Sequence, residues 1–212
     1  MPRPGVPDPY RQQARAQGFV SRAVFKLKAI DAKFHLLRSG QRVLDLGCSP
    51  GSWLQYLGAR VGAQGKVLGV DLATPKLPIV PPLYFVPGDI QSIDLEALQA
   101  VSPAFEVVVS DLAPRTTGVR LVDQQRSLEL ARRAWEIAQA VLAPGGHFLV
   151  KVFEGPEVNS LVATLQGAFT TVHRVKPAGS RQESWELYIL GLKRRDGHNQ
   201  AKGNRPPGPS PA

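Results

Sequence analysis

Cysteine is nearly absent: the 212-residue chain holds Cys48 and no other. One thiol cannot build an internal disulfide framework, and it excludes any zinc site made from several cysteines. Histidine is also sparse, and His35, His147, His173 and His198 are too scattered to suggest a metal cluster. No uninterrupted apolar run is long enough to span a bilayer, and the opening Met1-Pro2-Arg3-Pro4-Gly5 lacks the apolar stretch of a secretory signal. Neither a Gly-X-Y period nor sustained heptads occur, which sets aside collagen and coiled coil. What is present is 43% apolar and 20% charged residues, in a length that suits one domain with a full two- or three-layer core. These absences predict a soluble, cytoplasmic protein with no membrane and no metal as partner. No apolar stripe demands a second copy, so a monomer is expected.

Lysine and arginine total 26 against 17 acidic residues, a formal net charge of +9. Its location is more informative. Residues 1–42 carry +7 and residues 191–212 carry +4, so the 148 residues between them sum to −2. A slightly acidic body with basic ends fits contact with a polyanion, because phosphate supplies most non-specific affinity for nucleic acid. Basic ends would also serve solubility alone.

Residues 1–9, with four prolines, read as a flexible arm. From Tyr10 to Phe34, Phe19, Val20, Ala23, Val24, Leu27 and Ile30 recur at helical spacing with Arg22, Lys26 and Lys28 between them. That predicts one amphipathic helix with a basic side. Strands are then predicted at 42–46, 67–71, 83–86, 106–110, 147–153, 170–176 and 187–192. Helices are predicted at 52–61, 94–100, 123–142 and 157–168, with Pro144-Gly145-Gly146 ending the longest. This alternation implies an α/β domain over 10–195, a mostly parallel seven-stranded sheet with helices on both faces. Residues 196–212, with four prolines and three glycines, read as a disordered basic tail.

Asp45-Leu-Gly47-Cys48-Ser49-Pro50-Gly51 follows the first strand and opens a helix. In open α/β sheets ligands bind at the carboxyl ends of strands, where such a turn lets backbone approach them. The spacing is not that of a diphosphate cradle, and a carboxylate two residues before the glycine suits a cationic or donating ligand. Asp71 ends the second strand, placed for ribose hydroxyls, and Asp89 follows the third, placed for an adenine amino group. Together these acidic strand ends describe an S-adenosylmethionine pocket, with Leu72 and Ile90 beside the second and third. Trp53 belongs to the same stretch, chiefly as a packing residue, and Cys48 reads as a small packed residue rather than a nucleophile.

Asp111 ends the fourth strand in Ser110-Asp-Leu-Ala-Pro114, and Lys151 lies in the fifth between Val150 and Val152. A buried ammonium is costly unless paired, and Asp111 on the adjacent strand is its candidate partner. Lys26 and Glu186 also sit in apolar frames, Ala-Val-Phe-Lys-Leu and Ser-Trp-Glu-Leu-Tyr. These stretches, with the flanks Ser21-Arg22-Ala23 and Ser180-Arg181-Gln182-Glu183, resemble the FtsJ/RrmJ family of RNA 2′-O-ribose methyltransferases over about residues 8–192. The resemblance implies a Rossmann-like, S-adenosylmethionine-dependent methyltransferase fold and a catalytic tetrad of Lys26, Asp111, Lys151 and Glu186. Among the family's branches it looks most like the bacterial one that methylates a uridine ribose in 23S rRNA of the large ribosomal subunit. Cys48-Ser49 departs from a more usual pair of alanines.

The chemistry of such a tetrad follows from its charges. A ribose hydroxyl is a poor nucleophile until its proton has somewhere to go. Two lysines in one pocket disfavour each other's charge, which would let Lys151 act as the base. Alternatively, Lys151 stays charged and steers the hydroxyl lone pair. Asp111 would orient it, and Lys26 and Glu186 would position the ribose. Arg11, Arg15, Arg22, Arg115 and Arg120 are the candidates for RNA contact, with phosphate supplying position rather than base identity. The rivals are ribose methylation of tRNA, a small-molecule methyltransferase that leaves the basic ends unexplained, and a non-catalytic RNA-binding protein with a retained cofactor fold.

Overall fold

The central strands of the sheet owe their place to runs of residues buried on two faces at once, whereas the two edge strands are mostly half-buried or exposed. The computed structural model describes residues 8–177 and 185–197; most of the proline-rich arm, most of the basic tail and the stretch 178–184 lie outside them. In chain order the elements are α1 (Pro9–Ala16), α2 (Val24–Phe34), β1 (Arg42–Leu46), α3 (Ser52–Val61), β2 (Lys66–Asp71), β3 (Leu83–Pro87), α4 (Leu95–Val101), β4 (Phe105–Ser110), α5 (Arg120–Val141), β5 (Leu142–Phe153), α6 (Val158–Ala168), β6 (Phe169–Val175) and β7 (Glu186–Arg194). The seven strands lie in the order β3-β2-β1-β4-β5-β7-β6. All neighbours pair parallel except β7, which runs antiparallel to both β5 and β6.

Period-two alternation sorts the strand residues between two cores. Leu44, Leu46, Val108, Phe148, Val150 and Ile189 pack against α5 and α6, around Trp135 and Phe169. Val43, Val107, Val109, Leu149, Tyr188 and Leu190 pack on the other face against Leu27 and Ile30 of α2 and Leu54 and Leu57 of α3. No helix among the described residues is long and apolar enough to cross a membrane.

Two expectations are corrected. The helix predicted over 10–34 is two helices, broken across residues 17–23. Gly18 there adopts φ +75°, a left-handed conformation natural to glycine, and α3 holds the break open. Gln55 accepts from the Val20 N–H at 3.0 Å and donates to the Gly18 carbonyl at 3.0 Å, while the Trp53 indole donates to the Ala23 carbonyl at 2.9 Å. These contacts are tertiary, so local periodicity did not reveal them. The longest helix stops at Val141, ahead of Pro144-Gly145-Gly146, which lie inside β5. Arg194 of β7 donates to the carbonyls of Gln139 and Leu142, placing a cation where the helix C-terminus carries negative charge.

Candidate active site

Chain order reverses between β1 and β4, and ligands of doubly wound sheets bind at such a switch point. The carboxyl ends of these two strands carry Asp45 and Asp111. After β1 the chain turns sharply, and the Gly47 and Cys48 N–H groups donate to the Val70 carbonyl at 2.8 and 3.2 Å. Gly47 has φ +83°, and a Cβ there would stand 2.6 Å from the Leu112 side chain, so the turn accepts only glycine. Asp71 ties the turn to β2: its carboxylate accepts from the Ser49 N–H and from the Ala73 N–H, each at 2.9 Å. Gly47, Cys48, Ser49, Pro50, Trp53 and Asp111 line a small cleft of about 70 Å³ together with Ala23 and Ser52.

Asp45 is fully buried, and neither of its carboxylate oxygens has a hydrogen-bond partner among the described residues. Burial, and then the charges of Asp111 and Asp71, push its carboxyl well above the ordinary value. Such a group calls for a cation or donors. Cys48 is buried against the Gly69 backbone, and burial raises its thiol far from any nucleophilic range, in keeping with a packing role. Asp89 is exposed and accepts from the Gln91 N–H at 2.9 Å; Ile90 is buried and Leu72 exposed. Trp53 is buried, with its ring 6.1 Å from that of Tyr188.

The four charged residues of the tetrad converge. Lys151, only 5% exposed, donates to the Asp111 carbonyl at 2.6 Å and lies 3.0 Å from the Asp111 carboxylate. Glu186 stands 3.9 Å from the same ammonium and 2.5 Å from that of Lys26. The topology explains the meeting. Because β7 is antiparallel, its start rather than its end lies at the carboxyl edge, where Glu186 pairs with Phe153 and Tyr188 with Lys151. Lys151 and Tyr188 share the α2–α3 face with Leu149 and Leu190, and α2 delivers Lys26 to that face. Two cations and two anions sum to zero, so the cluster can be buried without an uncompensated charge.

One contact went unread in the sequence. The Tyr188 hydroxyl donates to the Asp111 carboxylate at 2.5 Å, and burial, reinforced by Asp111, holds its phenol well above the ordinary value. Its signal was the two-residue spacing from Glu186, which puts both on one face of a strand. The arginines are dispersed. Arg11 and Arg15 are exposed on α1, Arg22 is paired with Asp8 at 2.6 Å, and Arg115 is exposed in the loop after Asp111. Arg120 lies over the Trp185 ring, 4.8 Å from its centroid. Asp123 closes that loop by accepting from the Thr117 and Gly118 N–H groups at 2.7 and 3.1 Å.

A doubly wound sheet with an acidic glycine turn at its switch point is a fold that binds nucleotide-like ligands. Residues 19–194 match the FtsJ-like methyltransferase family, and the chain belongs to it. It is 44% identical over 189 residues to the Ribosomal RNA large subunit methyltransferase E of Sorangium cellulosum, covering 89% of each chain. Identity to the protein of the same name from Desulfatibacillum aliphaticivorans is 40%, over 90% of this chain and 92% of that one. Among solved structures, a Plasmodium falciparum protein described as a ribosomal RNA methyltransferase superposes with a TM-score of 0.73 at 28% identity, over 83% of this chain and 98% of that one. The protein is therefore a methyltransferase.

Proposed function

We propose that the protein transfers a methyl group from S-adenosylmethionine to the ribose 2′-oxygen of a uridine in 23S rRNA of the large ribosomal subunit. The observation that carries the reading is the buried Lys151 side-chain nitrogen, gripped by Asp111 at one side of the cleft whose other side is the glycine turn beside Asp45. The names of the relatives supply the rRNA substrate class.

The residues fit this cofactor. Asp45 offers a buried carboxylate, with no partner among the described residues, to its cationic portion. Gly47 leaves room that a Cβ would fill, Asp71 retains lone pairs for ribose hydroxyls, and exposed Asp89 faces no competing cation among the described ion pairs. Cys48, Ser49, Pro50, Gly51, Trp53, Leu72 and Ile90 form its surroundings. When bound, the cofactor supplies a methyl group already activated on a sulfonium.

The Lys151 side-chain nitrogen accepts the 2′-hydroxyl proton as that oxygen takes the methyl group. Asp111 fixes the Lys151 side chain and is itself held by Tyr188, while Lys26 and Glu186 clamp the ribose side of the cleft. Alignment of hydroxyl and methyl contributes more than proton transfer alone. Arg11, Arg15 and Arg115 meet phosphate, and the protein works in the cytoplasm as a monomer.

The test supplies labelled S-adenosylmethionine with undermodified large ribosomal subunits, the free rRNA extracted from them, and bulk tRNA. Label in subunits or rRNA, mapped to an alkali-resistant linkage at a uridine, is the expected result. Label confined to tRNA refutes the substrate, and no label on any RNA refutes the reading.

A further inference from the structure

The three tryptophans differ sharply in exposure. Trp53 and Trp135 are 3% and 4% exposed, whereas Trp185 is 39% exposed at the rim of the candidate active site, one residue before Glu186. Its backbone is held firmly: the Glu154 N–H donates to the Trp185 carbonyl at 2.7 Å, extending the ladder between β5 and β7. Consecutive residues of an extended chain face opposite sides, so the indole turns toward α5 while Glu186 joins the tetrad. There the Arg120 guanidinium lies over the ring, 4.8 Å from its centroid, with no carboxylate partner among the described residues. Val119 and Leu121, 57% and 73% exposed, flank Arg120 in the chain.

An indole left open to water beside a planar cation adds little to stability at an exposed site. It does present a flat π-surface on a rigid element. From this geometry we infer that Trp185 and Arg120 form a stacking platform for an RNA base, that of the nucleotide next to the one whose ribose reaches Lys151. The inference rests on the reading of the site as an RNA ribose methyltransferase and assigns it a second nucleotide subsite. A lone arginine would meet phosphate, but a guanidinium lying against an indole offers its plane, and bases stack on aromatic rings and on arginine planes alike. The platform and the tetrad lie on opposite sides of the sheet's carboxyl edge. An RNA strand drawn across that edge places one ribose at Lys151 and the adjacent base at Trp185.

The experiment uses the full chain, a short single-stranded RNA that contains uridine, and the same oligomer with abasic riboses beside that uridine. Trp53 and Trp135 also fluoresce, so the signal of Trp185 is read as the difference between the wild type and Trp185→Leu. The base-containing RNA is expected to quench it and the abasic RNA to leave it nearly unchanged. Trp185→Leu should weaken binding of the base-containing RNA by roughly 5- to 150-fold, with the abasic RNA and S-adenosylmethionine bound as by the wild type. Trp185→Phe should retain part of the affinity, and Arg120→Lys, which keeps charge without the plane, should behave more like Trp185→Leu. Equal losses on the two RNAs would mean a merely structural clasp and overturn the platform while leaving the methyl transfer intact. If the wild type neither binds nor methylates RNA, the functional reading falls and the platform with it.

Discussion

Asp45→Asn separates stability from function at a single atom pair. Asp45 is fully buried with no partner for its carboxylate among the described residues, and its carboxyl is held well above the ordinary value by burial and by Asp111 and Asp71. A group whose folded value is raised gives its full stabilisation below its unfolded value, near 3.9, and loses it as pH rises through the folded value. At higher pH the ionised carboxylate therefore works against folding. Asparagine keeps the shape and removes the charge. The amide is as unpaired as the carboxyl, so the gain for the cofactor-free protein comes from the ionisation it avoids, about 1–3 kcal/mol at about 1.4 kcal/mol per pH unit between the unfolded and folded values. In a chain of this size that raises Tm by about 2–10 °C, and the gain should be larger at pH 8 than at pH 5. The cofactor reverses the order. At about 100 times Kd it stabilises the wild type by about 2.7 kcal/mol, whereas the variant, having lost the carboxylate that meets the cationic portion, gains little. Thermal melts with and without S-adenosylmethionine at the two pH values measure both effects. A variant that melts below the wild type without cofactor, or that keeps the full cofactor shift, would refute the reasoning.

Three further perturbations test other parts of the structure. Lys151→Ala should lower turnover at least about 100-fold while S-adenosylmethionine binding, followed by calorimetry, stays nearly unchanged; retained turnover removes Lys151 as the proton acceptor. Asp31 is buried where it accepts from the Leu37 N–H at 2.8 Å, the Tyr56 hydroxyl at 2.7 Å and Arg60 at 3.0 Å, tying α2 to α3. Asp31→Leu leaves these donors unpaired and should cost about 3–5 kcal/mol in urea unfolding, and a loss under 1 kcal/mol would contradict the contacts. Burial raises the Glu106 carboxyl, but hydrogen bonds from the Arg42 side chain and backbone, with its charge, bring it net below the ordinary value. Its contribution is thus present above the ordinary 4.5 and lost as pH falls through the folded value. Because the pair is a third exposed, Glu106→Gln should cost only about 0.5–1 kcal/mol at pH 7, and the difference from wild type should vanish on acidification; a difference that grows instead would reverse the sign.

Much of the molecule was legible in the chain because its signals are local. The helix 52–61 and the strand 42–46 fall where periodicity and the glycine turn put them, since a doubly buried strand and a capped helix each announce themselves within a few residues. The tetrad was legible for a different reason: the cost of a buried ammonium pointed to the pairing of Lys151 with Asp111, and only the family resemblance added Lys26 and Glu186. Where the signal lay between distant segments, local reading stopped short. Gln55 breaks the first predicted helix, and Arg194 stands at the end of α5, 55 residues away from Gln139 in the chain. The antiparallel course of β7 is likewise a property of the sheet and not of the segment. That course brings Glu186 and Tyr188, rather than the far end of the strand, to Lys151 and Asp111. Local spacing determined which residues would be buried or charged; only the pairing of strands decided which of them touch, because contact across a sheet depends on direction and register.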